Sequence, residues 1–292
     1  MVTKSSEANQ QIVENQTAEN QTAENQTAGK EIVPQDDEWD WSRYEGAGFE
    51  EVDADSLSIP FLRVIQKTSP QMEENNSEYN PDAKAGMFYN TVTRKYYDGK
   101  EGVIFLPVYF QRRFICWGPR GTSESGFKGE YLPERVHEMV ESGELIEFDR
   151  RTYKPLSDGK IDVKKCDQYS DTRSYYILLI EPDQTVTHAM LSMASTQIRK
   201  ASNILTITNS ARINGRKPPI WLNMVRATTA QESNDQGTWQ GIIFEKIGYM
   251  QNKAILEEGA RFYDTIMAGK TMVNYEEGLG DTTREREDSD RF

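Results

Sequence analysis

The run VIFLPVYFQRRFICW, residues 103–117, limits what this chain can fold into more than any other stretch. Fifteen residues dominated by aromatic, aliphatic and β-branched side chains, without a 3.6-residue period, specify a long strand. Pro107 interrupts it. A proline has no backbone N–H to give a neighbouring strand, so it marks an edge position or a β-bulge. A sheet must be built around this strand from sequences further along.

Those sequences are present. RSYYILLIE and QTVTHAML, joined by Pro182-Asp183, read as a hairpin. ASTQIRKASNILTITNS (194–210) spaces Ile198, Ala201, Leu205 and Thr208 as a helix, with Ser195 or Thr196 as its cap. Residues 219–231 and 238–248 are two further strands, and 251–270 holds an amphipathic helix ended by Gly269. Before the long run, 58–66 reads as a short strand, 67–86 as a loop, and 87–102 as a hairpin turning at Asp98-Gly99. The glycine-rich stretch after Trp117 is a basic loop, followed by a short helix at 133–143. From residue 103 the order is strand, insertion, strand, strand, helix, strand, strand, helix. The expected fold class is α+β, mainly β. Its core would be an OB-like five-stranded barrel with a helix between strands 3 and 4, plus a C-terminal helix.

The charge is divided along the chain. Residues 1–58 carry 14 acidic and 3 basic residues, and 276–292 carry 7 and 3, out of a total of −13. The body at 59–275 is therefore close to neutral, and the acidity of the whole does not prevent it from binding a polyanion. ENQTAENQTAENQTA (14–28) is one pentapeptide three times over, with no bulky apolar group to offset the entropy of ordering. Both ends, 1–58 and 276–292, are expected to be disordered. Trp39, Trp41, Tyr44 and Phe49 sit among acids in the first arm, either docking it onto the body or serving a partner. The start lacks a secretory signal and no run is long enough to cross a bilayer, so the expectation is a soluble protein of the (host) cytoplasm.

Catalytic signatures are missing. The two histidines, His137 and His188, and the two cysteines, Cys116 and Cys166, form no metal-ligand spacing. HEMVE (137–141) has Glu141 where a zincin needs its second histidine. GTSESGFKG (121–129) has Phe127 at the lysine position of a phosphate loop, and GAGFEE (46–51) lacks the third glycine of a dinucleotide fingerprint. The expectation is a binding protein without catalytic residue, metal or cofactor.

Cations and aromatics instead alternate through the body. Binding a single nucleic-acid strand needs positive groups for phosphates and flat groups for exposed bases. Arg112, Arg113, Arg120 and Lys128 supply charge around the long strand, and Arg212, Arg216 and Lys217 form a second cluster before Trp221. Tyr109, Arg113 and Trp117 alternate onto one strand face. Each aromatic has two readings, a half-buried sheet residue or a stacking platform.

The chain finishes EEGLGDTTREREDSDRF. In architecture this acidic, Phe-ended tail resembles those of the bacterial and tailed-phage single-stranded DNA-binding proteins, although Arg284, Arg286 and Arg291 dilute its charge. IPFLRVIQKTSPQ and AGMFYNTVT are similar to segments of uncharacterised tailed-phage replication-region proteins. The resemblance implies a phage protein of DNA replication or recombination. Its partners would be single-stranded DNA, and replication or recombination proteins reached through Asp288, Asp290 and Phe292. It also implies a tail that competes for the DNA groove. The amphipathic helix offers a surface for a homodimer. The alternative is a phage accessory protein whose acidic aromatic arms inhibit or recruit a nucleic-acid enzyme.

Overall fold

The computed structural model describes Ala47 and residues 58–119, 121–234 and 237–269. Apart from Ala47 and Ser58, the two ends expected to be disordered lie outside them. The fold is α+β and mainly β, a curled antiparallel sheet with few helices.

The long run forms one strand, β4 (Val103–Gly118), at the centre of an eight-stranded sheet. It pairs along almost its whole length with β8 (Gln168–Ile180), from Ile104 opposite Ile180 to Trp117 opposite Gln168. The register slips between Pro107 and Tyr109, so the proline marks a bulge inside a central strand. On its other edge β4 begins against β10 (Asn223–Asn234) and ends against β5 (Gly126–Tyr131). The free edge of β8 is likewise divided between β9 (Val186–Ala194) and β7 (Arg151–Tyr153). β11 (Gly237–Tyr249) adds to β10, and β6 (Ile146–Phe148) to β7. Two antiparallel arms thus share β4 and β8: β11-β10-β4-β8-β9 at one end and β5-β4-β8-β7-β6 at the other.

Alternation sends every second side chain to each face. The inner face presents Phe105, Tyr175, Ile177, Leu179 and Leu191, all at most 1% exposed, to a helix α2 (Ile198–Asn209) that buries Ala201 and Ile204. Each such side chain contributes roughly 1.5–3 kcal/mol of burial. The Tyr175 hydroxyl donates to the Ala201 carbonyl at 2.7 Å, which satisfies the one polar atom it brings into the core. A small sheet of β1 (Leu62–Val64), β2 (Phe88–Asn90) and β3 (Tyr96–Tyr97) adds Leu62, Val64 and Phe88 to the same core.

The segment leading through β1 stands between β9 and β11, which do not pair with each other among the described residues. Phe61 makes a parallel bridge to Met190, whose N–H donates to the Pro60 carbonyl at 2.8 Å. On the other side the Gln66 amide donates to the Gln240 carbonyl at 3.0 Å and accepts from the Gln240 N–H at 2.7 Å. One side chain here does what a neighbouring strand would do for β11.

The outer face carries Leu106, Val108, Tyr176, Leu178 and Met190, and is covered by a helix α3 (Lys253–Met267). Its buried residues, Ile255, Gly259, Phe262 and Ile266, follow the i, i+4, i+7 spacing of one stripe. The Asn252 side chain caps its start by accepting from the Ala254 N–H at 3.0 Å. The apolar stripe that the sequence offered for a homodimer therefore lies on the chain's own sheet. A third cluster sits at the far arm, where α1 (Pro133–Glu141) lays Val136 and Met139 over Phe114, Cys116 and Tyr169.

Several local expectations are corrected. The β2–β3 hairpin turns at 91–95, where Asn90 Oδ1 accepts from the N–H groups of Val92 and Thr93. Asp98 does hold a turn, accepting from the Lys100 and Glu101 N–H groups, but that turn leads from β3 into β4. Neither Ser195 nor Thr196 caps α2: a 3-10 turn, Ser195–Gln197, precedes it and Ser195 has φ 51°. The strand expected from 219 opens with another 3-10 turn, Ile220–Leu222. The insertion after β4 adds β5, β6 and β7 to the sheet, so the five strands expected are part of a larger one. The expected helix between the third and fourth of them is present as α2.

Candidate nucleic-acid interface

Tyr109, Arg113 and Trp117 do project to the same, outer, face of β4, but that face is packed. The Tyr109 ring lies 6.0 Å from that of Tyr176 and 6.3 Å from that of Tyr263 on α3. Trp117 meets Phe127 of β5 edge-on at 5.9 Å. Trp221, in the turn before β10, lies 5.2 Å from the Tyr263 ring. There α3 approaches so closely that a Cβ on Gly259 would stand 2.8 Å from Trp221 Cδ1. Of their two sequence readings, the structure places all three among half-buried packing residues.

The cations divide into two groups. Arg112 makes a two-pronged bond to Asp171, Nε and Nη2 each at 2.9 Å, which holds its guanidinium above the ordinary range. Lys128 is 2.7 Å from Asp167 and 3.6 Å from Glu124, and the Asp167 bond raises its ammonium likewise. Both charges are matched within the fold. Arg113, Arg212, Arg216 and Lys217 have no carboxylate partner among the described residues. Arg113 donates to the Arg112 carbonyl at 2.9 Å. Arg212 donates to the carbonyls of Asn209 and Ala211 at the end of α2, a position where the helix dipole favours a cation.

A tight turn exposes Arg212, Arg216 and Lys217. Asn214 and Gly215, at φ 51° and 75°, bring Ile213 and Arg216 into reciprocal backbone bonds of 2.9 and 3.0 Å. The chain then passes through the Ile220–Leu222 turn into β10, whose first residue, Asn223, pairs with Tyr249 at the end of β11. Lys246 lies over the Tyr249 ring at 3.9 Å. Lys246 and Tyr249 thus join the end of the sheet that the basic turn enters, two residues that sequence reasoning missed. The pairing of β10 with β11, and the Met250 N–H donated to the Leu222 carbonyl at 2.9 Å, link them to it. Arg120, Asp288, Asp290 and Phe292 lie outside the described residues.

A second missed group lies on β9. His188 stacks on Phe262 of α3 with ring centroids 4.1 Å apart and planes 12° from parallel. Its Nε2 is 2.8 Å from Glu258, which also accepts two bonds from Arg261, at 2.9 and 2.5 Å. Burial works against the Glu258 charge, but the bonds from Arg261 and His188 together outweigh it and hold the carboxyl below its usual value. The sequence showed His188 as an isolated histidine in a strand, and its partners come from 70 or more residues away.

A family model described as Pam3 phage gp34-like protein matches residues 16–272. No curated protein matches the chain, and no solved structure does. The match spans most of the chain, which belongs to this phage family.

Proposed function

With that family membership as the premise, we propose that the chain is a phage single-stranded DNA-binding protein. It acts in replication or recombination without catalysis of its own, in the cytoplasm of the host. One observation carries the reading, the adjacency of five strands. β4 neighbours β8 and β10, β8 neighbours β9, β10 neighbours β11, and α2 stands between the third and fourth of them. This adjacency supports an OB-like reading, in which β1 would take the place where the third and fifth strands of such a barrel meet. The unmatched cations Arg113, Arg212, Arg216 and Lys217 fit phosphates, and Tyr249 beside Lys246 fits a base face. The acidic tail, with Asp288, Asp290 and Phe292, regulates occupancy and recruits partner proteins.

Fluorescence anisotropy of a labelled oligo(dT) at low salt, with duplex DNA and oligo(rU) as competitors, tests this reading. Saturable binding that duplex competes poorly supports it. No anisotropy change at any protein concentration refutes it. The packing of Tyr109, Trp117 and Trp221 favours a second reading, an accessory protein that inhibits or recruits a nucleic-acid enzyme through its acidic arms. Protein that ignores DNA yet binds a purified phage or host polymerase, helicase or nuclease would decide for it.

A further inference from the structure

We propose that α3 is a displaceable cover, and that single-stranded DNA takes its place on the outer face of β4, β8 and β9. The inference rests on the DNA-binding reading above. In OB-folds the oligonucleotide lies across the second and third strands, which here are β8 and β9. Their outer face, with β4, carries the rings of Tyr109, Tyr176 and His188, on which bases can stack, among the aliphatic side chains of Leu106, Val108, Leu178 and Met190. α3 occupies these rings with rings of its own. Phe262 lies on His188 in the parallel, 4.1 Å arrangement that a base would adopt, and edge-on to Tyr176 at 6.1 Å, while Tyr263 is tilted against Tyr109 at 6.3 Å.

The attachment of α3 suits a part that moves as a unit. It joins β11 through buried Met250, whose N–H donates to the Leu222 carbonyl at 2.9 Å, and then through the exposed pair Gln251 and Asn252, where a hinge would lie. Its polar latch, His188–Glu258–Arg261, lies at the margin of the packed face, with 43% of the His188 side chain and 68% of that of Arg261 exposed. At Trp221 the seating tolerates no side chain on residue 259. DNA opens the cover to the extent that it binds the bared face better than the covered one, so loosening the seat must tighten binding.

The test uses the full-length protein. Hydrogen exchange is followed with and without oligo(dT), and oligo(dT) affinity is measured for wild type, Glu258→Gln and Gly259→Ala. Exchange across 253–267 is expected to rise on adding the oligonucleotide, and both variants to bind at least about threefold more tightly. Wild-type protein that binds oligo(dT) with 253–267 equally or better protected overturns the cover and leaves the DNA reading standing. So do folded variants of unchanged affinity. If either variant fails to fold, the wild-type exchange decides. No binding by wild type or either variant removes the DNA reading itself, and the cover with it.

Discussion

Replacing Arg212, Arg216 and Lys217 together by alanine gives the sharpest quantitative consequence of the proposed interface. Each cation that neutralises a phosphate on a single strand contributes about 0.7 to the slope of log affinity against log salt, through counterion release. Four of the predicted cations, Arg113, Arg212, Arg216 and Lys217, have no ion pair within the described fold and can serve in this way. Arg112 and Lys128 are already matched by Asp171 and Asp167 and do not count. Four contacts give a slope of about −2.8, so a fourfold rise in salt, from about 50 to 200 mM, weakens binding about 50-fold. With three removed, the slope falls to about −0.7 and the same change costs only about threefold. The assay is anisotropy of labelled oligo(dT) across that salt series, with circular dichroism to show that the variant is folded. A folded triple variant with the wild-type slope refutes the assignment of these residues to phosphates.

Other expectations concern the packing around the proposed interface. Tyr175→Phe removes the buried bond to the Ala201 carbonyl and should cost about 1 kcal/mol in urea unfolding, with DNA binding intact. Leu178→Ala, emptying a wholly buried site under α3, should cost about 2–5 kcal/mol by the same measurement. Arg112→Ala should cost less than about 1 kcal/mol, because the Arg112–Asp171 pair is partly exposed and solvent screens it. Glu258 gives a pH dependence of known sign. Its folded carboxyl sits below the ordinary value, so its contribution is in place above about pH 4.3 and is lost as the pH falls through the folded value. Thermal melts of Glu258→Gln should show a smaller acid loss than wild type.

Much of the sheet was legible because its strands carry their own signals. β4, β8 and β9 are apolar enough to be strands wherever they are placed, and Pro107 announced the bulge that turned out to interrupt β4. β6 and β7 were not legible. Each has three residues, too few to show a period, and although Tyr153 of β7 is buried, Glu147 and Phe148 of β6 are exposed and give no strand signal. Asp98-Gly99 is the stronger local turn signal, yet Asn90 closes the hairpin, because β2 and β3 pair through Phe88 and Tyr97. The site was harder to read for the same reason. That Arg112 would be spent on Asp171, 59 residues away, depends on the β4–β8 register, which no local pattern encodes. Between the two readings of Trp221, packed residue or platform, no local pattern decides, because the contact comes from Gly259 of α3, 38 residues away, which lets the helix lie against it. Arg212, Arg216 and Lys217 stayed exposed because a tight turn at Asn214-Gly215 keeps their stretch short and off the core.

The central claim is that this sheet holds a single DNA strand, and photo-cross-linking tests both the binding and the place. Full-length protein would be irradiated with an oligonucleotide carrying bromodeoxyuridine, digested, and mapped by mass spectrometry. The account predicts adducts in the peptides that contain β4, β8 and the basic turn, around Tyr109, Tyr176 and Arg216. Irradiation that yields no adduct, or adducts confined to α1 and β6, would contradict it.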